Sequence, residues 1–148
     1  MNATVTAARI LLGLVFFAAG LSGFLLISHP PAPPPGLAGE FQDVFFASKW
    51  VLFVDGVELL AGALLLANRY VPLALAMLAA VIANIIVFHL TMAPAGLPVA
   101  AVVAALWAVV AARHRSSFAP LLVQRPAPHA DAAAQPTLPT TTATHARA

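Results

Sequence analysis

One uncharged apolar stretch of the chain is too long to cross a membrane only once. No Asp, Glu, Lys or Arg occurs between Tyr70 and Ala112. As a continuous helix this stretch would be about 64 Å long, roughly twice the hydrocarbon thickness of a bilayer. The segment PAGLP at 94–98 interrupts the apolar pattern, so we expect the chain to turn there. The stretch therefore predicts two membrane-spanning helices, at about 71–91 and 97–113.

Two further apolar segments precede this stretch, at about 8–27 and 49–68. The whole chain is 61% hydrophobic and 8% charged, against about a quarter charged in an ordinary soluble domain. The first segment begins like a secretory signal peptide, but three more apolar segments follow and no small-residue cleavage site closes it, so we interpret it as a retained helix. The predicted fold is an all-α integral membrane protein, an antiparallel four-helix bundle built by residues 1–118.

Two segments fall outside the four predicted helices. The outer loop 28–48 contains the run HPPAPPP, which predicts extended, polyproline-like backbone. The segment LAGEFQDVFFAS follows it with apolar residues at helical spacing, so it forms either a short interfacial helix or a loop that covers the bundle. Residues 119–148 are rich in Ala, Pro and Thr and predict a disordered cytoplasmic tail.

The few basic residues predict the orientation of the bundle. With four spans, Arg9, Arg69 and the four C-terminal arginines, Arg113 and Arg115 among them, fall on one side, and Lys49 falls alone on the other. The positive-inside rule then places both termini in the cytoplasm. The topology anchors are Arg9, Lys49, Arg69, Arg113 and Arg115. We expect Arg9 to snorkel to the cytoplasmic surface.

Several classes of chemistry are disfavoured by what the sequence lacks. The chain has no cysteine, which excludes disulfides, thiolate metal sites and iron–sulfur ligation. No metal site is predicted, and a haem on His89 is disfavoured because its second ligand would have to be His29, on the proline-rich loop. No basic stripe with interleaved aromatic residues indicates nucleic-acid binding. No complete catalytic constellation is present, so an accessory role is favoured over a self-sufficient enzyme.

Two carboxylates lie inside the second predicted span. Counted from Lys49 at its outer end, Asp55 is about 9 Å deep and Glu58 about 13 Å deep. Their i, i+3 spacing places them on one face together with Gly62, and glycine allows another helix to approach closely. A charge at a helix centre costs about 2.5–3.5 kcal/mol, whereas protonating Glu58 at pH 7 costs about 3.7 kcal/mol. Both charge states therefore stay open.

The third predicted helix offers the nearest polar groups. Asn84 lies at nearly the depth of the two acids and continues a series of small residues, so we expect it to face inward as their partner. His89 lies closer to the outer surface, as a hydrogen-bonding residue. In the first helix, Gly13 and Gly20 share a stripe that predicts helix packing. The acids are either structural polar groups or a proton or ligand site, and intramembrane acids favour the second interpretation.

The segments RILLGLVFFAAGLSGFL, VDGVELLAGALLLANRYVPLAL and ANIIVFHLTMAPAGLP, in this order around a proline-rich loop, resemble the DoxX family of small bacterial membrane proteins. The resemblance covers roughly residues 9–122. It implies four transmembrane helices in the bacterial inner membrane and association with a quinol-oxidising or thiosulfate-oxidising membrane system. Carried across to this chain, the family pattern points to Glu58, Gly62, Asn84 and His89.

Three functional hypotheses follow. In the first, the protein is an accessory or quinone-associated subunit of a membrane redox system, with a quinone headgroup in an outer-half cavity bounded by Asp55, Glu58 and Asn84 and with His89 at its mouth. Its partners would be the lipid bilayer, membrane or peripheral redox proteins, and a second copy of the chain. The alternatives are a small proton-coupled transporter that uses Asp55 and Glu58, and a purely structural scaffold.

Overall fold

The computed structural model describes residues 2–124 of the chain, and every regular element within them is helical. The α-helices are α1 (Ala3–Leu26), α2 (Leu37–Ala47), α3 (Trp50–Leu66), α4 (Val71–Thr91), α5 (Leu97–Arg113) and α6 (Arg115–Phe118), and 3-10 helices cover Pro94–Gly96 and Ala119–Leu122. The prediction of an all-α fold is confirmed for this part of the chain. The predicted disordered tail falls largely on residues 125–148, which lie outside the described residues. Of the first residues of this predicted tail, Ala119–Leu122 form a 3-10 helix.

Prolines and left-handed residues separate the helices. Pro72 and Pro98 lie in the first turns of α4 and α5, where a missing backbone N–H breaks no intrahelical hydrogen bond. Pro94 begins the 3-10 turn between these two helices. Between α3 and α4 the chain reverses within four residues, and Asn68 and Tyr70 there have positive φ angles of 55° and 50°. These turns determine which helices are neighbours.

The four long helices, α1, α3, α4 and α5, pack in a ring. α1 contacts α3 and α5, and α4 contacts the same two helices. The centre of the ring is apolar and closely packed, because its largest side chains are 2% exposed or less: Leu12, Phe16, Leu65, Leu75, Leu78 and Val110. α4 and α5 run antiparallel, because Nε1 of Trp107 in the second half of α5 donates a hydrogen bond of 2.9 Å to the carbonyl of Leu75 near the start of α4.

Three of the described helical segments are long and apolar enough to cross a membrane, namely Ala3–Leu26, Val71–Thr91 and Pro94–Arg113. α3 is shorter, with 17 residues, or about 25 Å. Large apolar side chains cover the outside of the ring, and Leu25 and Leu73 are 71% and 55% exposed. An exterior with so many exposed apolar side chains is typical of a protein that lies in a membrane. A crossing by all four long helices, in the predicted orientation, stays a prediction.

The prediction that Arg9 snorkels to the surface is wrong. The residue is 7% exposed, and its Nη1 donates to the carbonyl of Leu65 and, at 3.5 Å, to that of Leu66. These carbonyls belong to the last turn of α3, where a cation is favoured by the helix dipole, and the oxygen of Leu65 also accepts a hydrogen bond of 3.1 Å from the backbone N–H of Asn68. The side chain of Arg9 therefore lies between α1 and α3, where it satisfies the end of a neighbouring helix.

The two ends of the ring differ in character. α2 lies across one end, where the ring of Phe41 is 5.4 Å from that of Phe88 in α4; we term this the covered end. Gln42 ties α2 to the preceding extended segment by donating a hydrogen bond of 2.7 Å to the carbonyl of Pro31. The segment after the prolines is thus a helix, and it also covers the bundle. The opposite end, with Arg69 and Arg113, is the arginine end.

Candidate ligand-binding site

A cavity of about 560 Å³ lies at the covered end, between α2, α3 and α4. Most of its wall is apolar, and its aromatic lining consists of Phe41, Phe45, Trp50, Phe53 and Phe88. Two pairs of these rings are in contact, with centroid separations of 5.5 Å for Phe41 and Phe45 and 5.3 Å for Trp50 and Phe53. The size and lining are typical of pockets that bind small, largely apolar molecules.

Four polar side chains interrupt this apolar wall. Asp55 and Glu58 reach the cavity from α3, and Asn84 and His89 reach it from α4. These are the four residues that the sequence predicts as a site, and the fold brings them together around one space. Their function stays a prediction, but their placement brings polar groups from two neighbouring helices into an otherwise apolar lining.

The two acids are deeply buried. Asp55 and Glu58 are 9% and 7% exposed, one turn apart on α3. Within residues 2–124, no side chain forms a hydrogen bond or an ion pair with either carboxylate. Among the described residues, the buried side-chain polar atom without a hydrogen-bond partner is Nε of Arg9, so the carboxylate oxygens retain some accessible surface. Both acids line the cavity, and the carboxylate of Asp55 also lies against Gly23 of α1.

Glycines bring α1 against the helix that carries the acids. The sequence predicts Gly13, Gly20 and Gly62 as packing residues, and all three lie at the contact between α1 and α3: a side-chain carbon at Gly20 would meet backbone atoms of α3, and one at Gly62 would meet backbone atoms of α1. Gly23 is not among the predicted packing residues, although a side-chain carbon there would overlap the carboxylate of Asp55. The contact between Gly23 and Asp55 depends on the register between α1 and α3, which the sequence pattern does not reveal.

Asn84 does not pair with the acids as predicted. Its Nδ2 donates a hydrogen bond of 2.9 Å to the carbonyl of Ala80, one turn earlier in α4, and the residue is exposed. Asparagine often bonds its own helix in this way, because the neighbouring backbone is always within reach. One amide hydrogen and the side-chain oxygen stay available to a molecule in the cavity.

His89 is held in a defined orientation. Its Nδ1 is 3.0 Å from the carbonyl oxygen of Ala93. Because a carbonyl only accepts hydrogen bonds, Nδ1 carries the proton, and in a neutral imidazole Nε2 is then an acceptor. The ring occupies the space that a side chain at Gly96 would fill. The turn between α4 and α5 thus fixes both the position and the tautomer of the histidine, a relationship that no pattern in the sequence indicates.

Among the described residues, no group of three or more His, Cys, Asp or Glu side chains could hold a metal ion. The polar groups of the cavity are spread over two helices, α3 and α4.

A comparison with known families matches the DoxX family to residues 4–91. The matched segment contains α1 to α4, and with them all four polar residues of the cavity and the glycines at the contact between α1 and α3. No curated protein and no solved structure matches the chain.

Proposed function

The chain belongs to the DoxX family, and we propose that it is an accessory subunit of a membrane redox system that binds a membrane quinone in the cavity between α3 and α4. In this proposal all four long helices cross the bacterial inner membrane. The arginine end lies in the cytoplasm, following the positive-inside rule, and the covered end lies at the outer face.

The observation that carries the proposal is the combination of a mostly apolar, aromatic wall with four polar groups in one cavity. A quinone has a flat ring with oxygens at its edge and an apolar tail. Aromatic side chains pack against flat rings, and hydrogen-bonding groups fix the orientation of a ligand in an otherwise apolar pocket. The exposed rings of Trp50 and Phe53 lie at the lipid-facing rim, where the tail would leave the cavity.

The polar groups suit both redox forms of such a head. The amide of Asn84 or a protonated carboxyl donates a hydrogen bond to a quinone oxygen, and a carboxylate or Nε2 of His89 accepts one from a quinol hydroxyl. The acids at Asp55 and Glu58 also supply groups that exchange protons beside the ligand, which the quinone couple requires when it gains or loses electrons. The electrons themselves would come from a partner protein.

The packing below the cavity favours ligand binding over proton-coupled transport. Between the cavity and the arginine end lies the apolar centre of the ring, in which Leu12, Phe16, Leu75 and Leu78 are 2% exposed or less. A transported proton or solute would have to pass this layer, and interiors packed in this way leave no continuous path. The cavity is thus better suited to hold a ligand that enters from the lipid.

Mass spectrometry of molecules that copurify with the full-length protein in mild detergent tests the proposal. We expect quinone to be enriched over bulk lipid in the natural protein and reduced several-fold in Glu58→Gln. Glu40→Gln is the matched control, because Glu40 is exposed on α2 and does not line the cavity. If only bulk lipid copurifies, or if both variants retain as much quinone as the natural protein, the proposal is wrong.

The same preparation tests the accessory role. A subunit of a redox system should copurify with a protein that carries a redox cofactor, because the described part of this chain has no metal-binding group of its own. If the natural protein retains quinone but no redox protein accompanies it under several mild detergents, quinone binding stands and the subunit assignment fails.

A further inference from the structure

We propose that a second cavity at the covered end binds the headgroup of a zwitterionic phospholipid with a primary ammonium, of the phosphatidylethanolamine type. This cavity has a volume of about 260 Å³ and lies between the end of α1, the proline-rich segment and α2. Its lining includes the apolar side chains of Ile27 and Phe46 and the polar ones of Gln42, Asp43 and Lys49. It shares no lining residue with the cavity between α2, α3 and α4, so the proposal does not depend on quinone binding.

Asp43 and Lys49 give the cavity one charge of each sign. Both residues are exposed, both line the cavity, and they form no ion pair with each other. A ligand with a single charge would be attracted by one of them and repelled by the other. A ligand that carries both charges is attracted by both, with its phosphate near Lys49, since lysine binds phosphate as a point charge. The headgroup of phosphatidylethanolamine has a phosphate and an ammonium only two carbons apart.

The same cavity offers acceptors to an ammonium group that carries hydrogens. The carboxylate of Asp43 is one. Gln42 is another, because its Nε2 donates a hydrogen bond of 2.7 Å to the carbonyl of Pro31 and its side-chain oxygen stays available to a ligand. Ile27 caps the C-terminus of α1, whose last turn has no basic residue, and a helix C-terminus favours a cation. A primary ammonium donates up to three hydrogen bonds, whereas a choline head has no N–H to donate.

The position of the cavity favours a lipid over a soluble zwitterion. α1 is long and apolar enough to cross a membrane, and the cavity lies at its end, at the depth of the lipid headgroups. One turn before Ile27, Phe24 is 42% exposed. Beside Phe24, Gly56 keeps the surface of α3 low, since an added side-chain carbon would meet only that ring, at 3.8 Å. An acyl chain can therefore lie against apolar surface directly below the headgroup.

Native mass spectrometry of the full-length protein, released from detergent micelles, tests the proposal. The probes are three phospholipids that have the same acyl chains and carry ethanolamine, choline or glycerol as the headgroup. We expect the ethanolamine lipid to bind about three- to fivefold more tightly than the other two, a modest factor because contacts between exposed charges are individually weak.

Two variants assign this preference to the cavity. Asp43→Asn removes the charge that attracts the ammonium and should abolish most of the preference for the ethanolamine lipid over the glycerol lipid. Lys49→Gln removes the charge that attracts the phosphate and should weaken binding of the ethanolamine lipid several-fold. Glu40→Gln and Arg69→Gln are the matched controls, because they remove the same charges at exposed positions that line neither cavity. All four residues are exposed, so circular dichroism should show unchanged helix content.

The proposal is overturned if the three lipids bind equally, if the choline or glycerol lipid binds most tightly, or if the control variants lower binding as much as the cavity variants do. Glycerophosphoethanolamine, which is the same headgroup without acyl chains, separates a lipid from a soluble zwitterion. We expect it to displace the ethanolamine lipid only at a much higher concentration. Displacement at an equal concentration would show that the cavity binds a soluble zwitterion, and the lipid assignment would fall.

Discussion

The carboxylate of Asp55 in α3 occupies the space that a side chain at Gly23 in α1 would fill. Gly23 lies within a regular helix, so its backbone conformation does not require glycine. Its importance comes from the neighbouring helix, because the lack of a side chain allows the acid to rest against the backbone of α1. The position of an acid in the cavity is therefore controlled by a residue that does not line it.

Gly23→Ala should displace the carboxylate of Asp55 and destabilise the protein. Overpacking of a closely packed contact costs about 1–3 kcal/mol. Gly56→Ala is the matched control, because a carbon added there would meet only the ring of Phe24, at 3.8 Å, and alanine favours a helix over glycine by about 1 kcal/mol. The free energy of unfolding in mixed detergent micelles measures both changes. Equal effects of the two substitutions would show that the carboxylate is not held against α1.

Arg9→Met should destabilise the protein, because it removes the hydrogen bond from a charged donor to the carbonyl of Leu65. A hydrogen bond that involves a charged group contributes about 1.5–3 kcal/mol, and the backbone N–H of Asn68 remains as a second donor to the same oxygen, at 3.1 Å. Arg69→Met makes the same chemical change at an exposed position and should alter the free energy of unfolding by less than about 0.5 kcal/mol. A comparison of the two variants in the same unfolding assay tests this contact. Similar stabilities would mean that Arg9 does not bind the end of α3.

Trp107→Phe should weaken the contact between α4 and α5. The substitution removes the hydrogen bond from Nε1 to the carbonyl of Leu75, and a hydrogen bond of this kind contributes about 1 kcal/mol. Trp50→Phe serves as the control, because Trp50 is 58% exposed and its nitrogen is not part of this contact. Thermal unfolding followed by circular dichroism should show a lower midpoint for Trp107→Phe alone. A larger decrease for Trp50→Phe would contradict this assignment.

Gly96→Ala should release His89 from its present orientation, since the added carbon would overlap the imidazole ring. Ala95→Ser changes the neighbouring, exposed residue and should have no such effect. Nitrogen NMR of histidine-labelled protein distinguishes the two tautomers. We expect the Nδ1-protonated form for His89 in the natural protein and in Ala95→Ser, and a mixture in Gly96→Ala. A dominant Nε2-protonated form in the natural protein would refute the hydrogen bond to Ala93.

The fold class could be predicted because its causes are local in the sequence. Long uncharged apolar runs allow only helices in lipid, since each backbone polar group must be satisfied within its own segment. Pro72, Pro94 and Pro98 mark where such helices can begin. The amphipathic spacing after the outer prolines likewise suggested a helix, although it did not show that Phe41 and Phe45 would line a cavity.

The contacts of the site could not be predicted, because they depend on the register between helices. Nothing near Arg9 in the sequence indicates that its guanidinium reaches the carbonyl of Leu65. The depth of Arg9 in its predicted helix supports only the expectation that its side chain extends to the membrane surface. The contact between Gly23 and the carboxylate of Asp55 likewise depends on the register between α1 and α3. Periodicity placed Asn84 at the right depth, but its bond to Ala80 reflects competition from its own backbone, which a helical face pattern does not reveal.

Photolabelling with an azido-substituted quinone tests most directly whether the cavity binds a quinone. The reagent would be activated on the full-length protein in lipid nanodiscs, and the labelled peptides identified by mass spectrometry. We expect label on α2, α3 and α4 at residues that line the cavity, such as Phe45, Val57 and Ile85, with several-fold less in Glu58→Gln and no loss in Glu40→Gln. Label spread over the exposed faces of α1 and α5, or unaffected by Glu58→Gln, would contradict the account.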